Sequence, residues 1–66
     1  MRGSHRGIHF ELEEIAAGRW RWSFFPPQGK PREGRVNGDM RWATTVAMRG
    51  IDVWHLMNRG DRAQAA

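Results

Sequence analysis

The sequence predicts a small α+β domain, in which a two- to three-stranded antiparallel sheet is followed by one C-terminal helix packed on one face, in the order ββ(β)α. Apolar and polar residues alternate over residues 8–13 and 19–24, which is the period of a strand with one exposed face. From Met40 onward the apolar residues recur at helical spacing. A chain of 66 residues has room for one domain, because domains typically contain roughly 100 to 200 residues.

The first two strands are predicted to form a hairpin across residues 14–18, which include a glycine suited to a loop. Pairing Glu13 with Arg19 aligns every position of the two runs. The apolar pairs inside are then Leu12 with Trp20, Phe10 with Trp22 and Ile8 with Phe24, and the polar pairs outside are Glu13 with Arg19, Glu11 with Arg21 and His9 with Ser23. The strand tryptophans are therefore expected in the core rather than on a base-stacking surface.

A third strand is predicted over residues 30–36, after a turn at residues 26–29. Pro31 lacks a backbone donor and Gly34 adds flexibility, so this strand is expected to be short, irregular or at an edge.

The helix is predicted to begin after Asp39 as its N-cap and to end near Asn58, with Gly60 as the C-terminal cap. Its apolar stripe consists of Ala43, Val46, Ala47, Gly50, Val53, Trp54 and Met57. Because Gly50 lies on this stripe, we expect the helix to approach the sheet closely there.

Both ends of the chain are predicted to lie outside the folded domain, which spans residues 8–58. Residues 1–7 are expected to be disordered, whether they are native or the remnant of an expression tag. Residues 59–66 are expected to fray. No stretch is apolar enough for a membrane span or a signal peptide, so a cytoplasmic protein with no membrane partner is expected.

Four short motifs lie along residues 8–54: Phe10-Glu11-Leu12, the run from Gly18 to Phe24, Gln28-Gly29-Lys30 and Gly50-Ile51. In this order they resemble the YegP-like family of small bacterial proteins of unknown function. The resemblance implies a ββ(β)α unit that is often duplicated in tandem, and it implies no enzymatic activity. Residues 31–34 depart from the apolar third strand of that family, which bears on how this strand pairs.

No arrangement of residues points to catalysis. Cysteine is absent from the sequence, which excludes disulfides, thiolate chemistry and cysteine zinc sites. The hydroxyl residues form no triad or nucleophile elbow, and the glycines form no phosphate-binding loop. Asp52 and His55 are the best chemical pair, three residues apart on one helix face and able to hydrogen-bond or to hold a metal weakly, but two ligands make no site. We expect no catalytic residue, no cofactor and no metal.

Self-association is the function that size and composition favour. A domain of this size without disulfide or metal is marginally stable, and a three-stranded sheet leaves two unpaired edges. The large apolar residues that one helix cannot cover form the predicted dimer or partner surface: Phe25, Trp42, Met48 and Leu56. We expect a homodimer that pairs along residues 8–13, with a face-to-face dimer through Phe25 as the second geometry.

Nucleic-acid binding is the alternative function. Between Arg19 and Arg41 the chain carries six basic and two acidic residues, and their balance of +4 equals the net charge of the chain. The predicted nucleic-acid or anion contacts are Lys30, Arg32, Arg35 and Arg41. The outer face of the sheet would also carry carboxylates, which oppose phosphate. We therefore prefer an interaction or assembly domain whose partner is a second copy of the same chain. Another protein or nucleic acid is the less favoured partner.

Overall fold

The computed structural model describes the backbone of residues 1–65 and the side chains of residues 1–58. Its elements are four strands and one helix: β1 (Arg2–His5), β2 (Ile8–Ala16), β3 (Arg19–Phe25), β4 (Arg32–Asn37) and α1 (Met40–Ala65). The strands form one antiparallel sheet in the order β1-β2-β3-β4, so each pairs with its neighbour in sequence. The α+β class and the C-terminal helix are confirmed, whereas the number of strands is four and not two or three.

β1 is the strand that the sequence analysis did not predict. The hairpin from β1 to β2 turns through Arg6 and Gly7, whose φ values of 52° and 81° are the positive ones that a type I′ turn requires. β1 places Gly3 opposite Phe10, and a Cβ at Gly3 would lie 2.8 Å from the Phe10 ring. Glycine therefore lets the ring lie across the β1 backbone. The expectation that residues 1–7 are disordered is wrong.

The β2–β3 hairpin differs from the predicted register by two residues. Leu12 lies opposite Trp22 and Phe10 lies opposite Phe24, with a bulge between Glu14 and Ala16. The chain turns through residues 17–18 instead of the predicted five-residue loop, so β2 continues to Ala16. A shift of two preserves the face to which each side chain points, and the predicted inner and outer faces are therefore confirmed although the partners are wrong.

The ion pairs on the outer face change with the register. Arg21 Nη2 lies 2.7 Å from Glu13 Oε1, in place of the predicted Glu13–Arg19 pair. Glu11 pairs with Arg2 of β1 at 3.3 Å, in place of Arg21. The unpredicted first strand thus supplies the partner of this carboxylate.

β4 forms and is an edge strand, as predicted. Its position beside β3 depends on Gly34, which lies opposite Trp22. A Cβ at Gly34 would overlap Trp22 Cζ2 and lie 2.7 Å from Cε2. The indole ring therefore lies against the β4 backbone, where a side chain would otherwise stand.

The helix begins as predicted, with Asp39 as its N-cap. Asp39 Oδ1 accepts a hydrogen bond of 2.8 Å from the Trp42 backbone N–H. The buried core between helix and sheet consists of Ile8, Phe10, Leu12, Phe24, Ala43, Ala47 and Ile51, with Trp20, Trp22, Val36, Met48 and Trp54 packed around it. The close approach expected at Gly50 is confirmed, since a Cβ there would lie 3.1 Å from Phe24 Cε1.

The buried stripe of the helix is narrower than predicted. It is centred on alanines and Ile51, whereas Val53 and Met57 are 54% and 64% exposed. Met48, predicted to lie at the border as part of a partner surface, packs against the core instead. The helix lies mainly over β2 and β3, so the flank of the helix beside β4 stays open to solvent.

The helix is also longer than predicted. It continues through Ala65, so the expected end near Asn58 and the expected cap at Gly60 are wrong. Twenty-six residues form a helix of about 39 Å, which accounts for most of the 46 Å long axis of the molecule. Of the predicted frayed tail, Ala66 and the side chains from residue 59 onward lie outside the described residues.

Candidate interaction surfaces

An open apolar stripe runs along the side of α1 that faces β4, and we call it the helix flank. It consists of Trp42, Val46, Gly50, Val53 and Met57, which are spaced by four, four, three and four residues and therefore share one side of the helix. Three of these side chains are largely exposed, with Trp42 at 45%, Val53 at 54% and Met57 at 64%. The helix flank is thus a continuous apolar surface and not a set of scattered residues.

A small groove lies where the helix flank meets the sheet. It has a volume of about 80 Å³ and is lined chiefly by Phe24, Gly50, Val53, Trp54 and Met57. Arg32 lies at the rim of the same groove, at the start of β4. Because it is narrow and mostly apolar, the groove suits one aliphatic side chain from another molecule.

The four residues predicted as a dimer surface do not form one surface. Phe25 lies on the outer face of the sheet, where its ring stacks on His9 with centroids 5.8 Å apart. Leu56, 66% exposed, comes nine residues or about two and a half turns after the buried Ala47, so it points away from the sheet. Only Trp42 belongs to the helix flank.

The opposite flank of the helix holds the turn between β1 and β2. His5 Nε2 and Arg6 Nη1 lie 2.8 and 3.0 Å from Asp52 Oδ1, and His55 Nε2 lies 3.1 Å from the Arg6 carbonyl oxygen. Asp52 and His55 therefore bond to other partners and not to each other, as the sequence allowed. The hydrogen bonds from Arg6 and His5 hold the pKa of Asp52 below its ordinary value of 3.8.

The predicted basic patch is divided between two ends of the molecule. Lys30 and Arg32 lie at the start of β4, and Arg41 lies in the first turn of the helix, beyond the end of β4. The six residues of β4 separate these ends by about 20 Å. Arg35 lies between them on the outer face, so these four residues do not form a single contact site.

A different group of arginines is brought together on the outer face. Arg21 lies directly opposite Arg35, and Arg19 lies two positions along β3, opposite Asn37. All three arginines are exposed. Of these, Arg21 pairs with Glu13, while no ion pair within residues 1–58 engages Arg19 or Arg35. Sequence analysis missed this group because it depends on the β3–β4 register.

A larger cavity of about 490 Å³ lies at the other edge of the sheet, between the end of β2 and the start of the helix. It is lined by three glutamates, and each has a partner: Glu11 with Arg2, Glu13 with Arg21, and Glu14 with the Gly18 backbone N–H at 3.2 Å. All three carboxylates that line this cavity are therefore engaged in contacts within the protein.

Within the described part of the chain, no three His, Asp or Glu side chains are grouped closely enough to hold a metal ion. The helix is too polar to cross a membrane over the residues that the structure describes. Comparisons with protein-family models, curated proteins and solved structures find no match to this chain. The resemblance to the YegP-like family therefore stays a prediction from four short sequence motifs.

Proposed function

We propose that this chain is a small non-enzymatic assembly domain that forms a homodimer through the helix flank. The observation that supports this is the exposure of Trp42, Val53 and Met57 along one side of the helix, beside a groove that could accept a side chain. Exposed apolar surface that is contiguous is typical of an interaction site. Dimerisation also agrees with the proposed membership of the YegP-like family, in which tandem copies would meet within one chain.

The proposed contact is a two-fold, antiparallel packing of two helices. The spacing of three and then four residues along Gly50, Val53 and Met57 is that of a helix–helix seam. A two-fold axis between Val53 and Met57 places Val53 of each copy against Met57 of the other. The groove at Phe24 then receives an apolar side chain of the second copy. Each protomer thereby covers the part of its partner's helix flank that the partner's own sheet leaves exposed.

The structure argues against the geometry expected from the sequence. The edge of β2 from Ile8 to Glu11 is covered by β1. Leu12 exchanges backbone hydrogen bonds with Met1 at 2.7 and 2.8 Å, which extends the covered edge by one residue. Edge-to-edge pairing along residues 8–13 would therefore require β1 to leave the sheet. Helix packing requires no such rearrangement.

Sedimentation equilibrium over a range of concentrations tests the proposal. We expect the mass to rise from that of a 7.7 kDa chain toward twice this value. Val53→Asp places a charge in the helix flank and is expected to keep the chain monomeric. The control is Phe25→Asp, which replaces an exposed apolar residue with the same charge on the outer face of the sheet, opposite to the helix, and should leave the dimer intact.

Two results would overturn the helix-mediated dimer. One is a wild-type mass that stays at 7.7 kDa up to hundreds of micromolar. The other is a dimer that persists in Val53→Asp, which would point instead to the face carrying Phe25. Circular dichroism of both variants shows whether the helix is retained, so a loss of folding is not mistaken for a loss of association.

A further inference from the structure

The arrangement of charge on the outer face of the sheet is unfavourable for the isolated protein. Arg21 and Arg35 are directly opposite each other on neighbouring strands, and such positions bring Cβ atoms to about 4.5–5.5 Å. Like charges placed this way destabilise a sheet. Arg19 adds a third guanidinium on the same face, and Glu13 is the one carboxylate within residues 1–58 that pairs with this group. An anion bound here would offset the repulsion.

The charges on this face are also segregated along the strands. The carboxylates Glu11 and Glu33 lie on either side of Ser23, in the middle of the face. The arginines lie toward the end formed by the start of β3 and the end of β4. The repulsion between carboxylate and phosphate therefore acts where a bound strand crosses the middle of the face, between Glu11 and Glu33, and not at the arginine end.

The other end of the same face carries an aromatic surface. Phe25, the last residue of β3, is 39% exposed and stacks on His9 at an interplanar angle of 25°. β3 runs from Arg19 to Phe25, so guanidiniums and aromatic rings occupy the two ends of one strand about 20 Å apart. Basic side chains and exposed aromatic rings on one open sheet face are the elements of single-strand recognition, and a single strand is long enough to reach both ends.

We propose that the outer face of the sheet binds single-stranded nucleic acid. Arg19 and Arg35 contact backbone phosphates, Arg21 is held in part by Glu13, and a base stacks on Phe25. Phosphate contacts supply affinity without sequence preference, and stacking on Phe25 favours unpaired bases. This site is independent of the proposed dimer, because the outer face lies on the side of the sheet opposite to the helix.

A small phosphate ligand fits this face less well. The arginines lie on an open surface along two strands, and a lone phosphate would make no use of the aromatic pair at the other end of the face. The shared chemistry is the phosphate group, so the test includes inorganic pyrophosphate beside oligonucleotides. A short strand of thymidines is the suitable probe, because it has both backbone phosphates and unpaired bases.

Fluorescence anisotropy of a labelled 12-nucleotide thymidine strand, titrated at 50 and 200 mM salt, measures the number of phosphate contacts. Each contact with a single strand contributes about 0.7 to the logarithmic salt slope. Two contacts predict a loss of affinity of about 7-fold between these salt concentrations, and Arg35→Gln should reduce it to about 2.6-fold. Arg49→Gln, on the exposed side of the helix, removes the same charge and should leave the slope unchanged.

Two further variants distinguish specific contacts on this face from a general attraction between the charged protein and the strand. Glu13→Gln releases Arg21, which can then make a third phosphate contact. The variant is expected to bind more tightly at 50 mM salt, and its loss of affinity between 50 and 200 mM salt should rise to about 18-fold. Phe25→Ala is expected to weaken binding by about 5- to 150-fold, which is the range for one stacked base. A 12-base-pair duplex should bind more weakly than the single strand, because its bases are not available to Phe25.

The proposal is overturned if the thymidine strand shows no affinity at 50 mM salt. It is also overturned if Arg35→Gln and Arg49→Gln weaken binding equally, which would indicate net charge alone. The proposal is overturned as well if pyrophosphate displaces the labelled strand as effectively as unlabelled strand does at an equal concentration of phosphate groups, because this would indicate a simple anion site. Circular dichroism spectra of every variant are compared with the wild type. Matching spectra exclude misfolding as the cause of a loss of binding.

Discussion

A single methyl group added at Gly34 tests whether the packing of Trp22 determines where β4 lies. In Gly34→Ala, the new Cβ would overlap Trp22 Cζ2 and lie 2.7 Å from Cε2. The ring has little room to move away. It stacks on Phe24 with centroids 5.9 Å apart and an angle of 7°, and its Cη2 atom lies 3.8 Å from the Cβ position of Gly50. We therefore expect β4 itself to shift away from β3.

The expected cost is near the upper end of the range for overpacking, about 3 kcal/mol of unfolding free energy. For 66 residues the entropy of unfolding is about 140 cal/mol/K, so each kcal/mol lowers the melting temperature by about 7 °C. Gly34→Ala should then melt about 20 °C below the wild type. Differential scanning calorimetry measures this directly.

Glu33→Ala is the control, because Glu33 is the neighbouring residue of β4 and is exposed on the outer face. It should stay within about 4 °C of the wild type. In a Trp22→Phe background, where the ring is smaller, Gly34→Ala should cost less than about 1 kcal/mol. Melting of Gly34→Ala within about 4 °C of the wild type would show that the ring adapts and that the packing of Trp22 does not determine where β4 lies.

Further predictions concern four single side chains. Trp22→Ala should cost about 3–5 kcal/mol in urea unfolding. Arg21→Ala breaks an exposed ion pair and should cost less than about 1 kcal/mol, and equal effects would contradict the assignment of inner and outer faces. Asp39→Ala removes the helix N-cap and should cost about 1 kcal/mol, whereas Asp39→Asn, which keeps an acceptor, should cost less. Because Arg6 lowers the pKa of Asp52, the stabilisation from this carboxylate is present above its unfolded-state pKa near 3.8 and is lost as the pH falls through the lower folded-state value. Asp52→Asn should therefore flatten the decline of melting temperature in acid, and an unchanged decline would contradict the contact.

The alternation of apolar residues was sufficient to predict which side chains face the helix, but not which residues pair. Leu12 was expected opposite Trp20 and lies opposite Trp22. Alternation has a period of two, so a shift of two residues leaves the pattern unchanged. The register depends on the turn at residues 17–18 and on the bulge after Glu14, which no apolar pattern marks.

β1 was missed because its four residues carry no apolar alternation. Its stabilising contacts come from other elements, such as the Phe10 ring of β2 beneath Gly3 and Asp52 of the helix beside His5. The helix flank was misassigned for a related reason. Helical spacing predicts that Val53 and Met57 share a side with Gly50, but whether that side is covered depends on how far the sheet extends beneath it.

The attachment of β1 has a consequence for how the native protein opens. β1 joins the domain through one strand partner and through a turn whose contacts reach 46 to 49 residues along the chain. The remaining strands and the helix are linked by short connections, so β1 can detach while they stay folded. Amide protons of residues 8–12 that point toward β1 should then exchange with solvent through this partial opening, at a lower free energy than those of β3. In that opened form the bare edge of β2 could accept β1 from a second chain, which makes strand exchange at high concentration the characteristic misassembly of this fold.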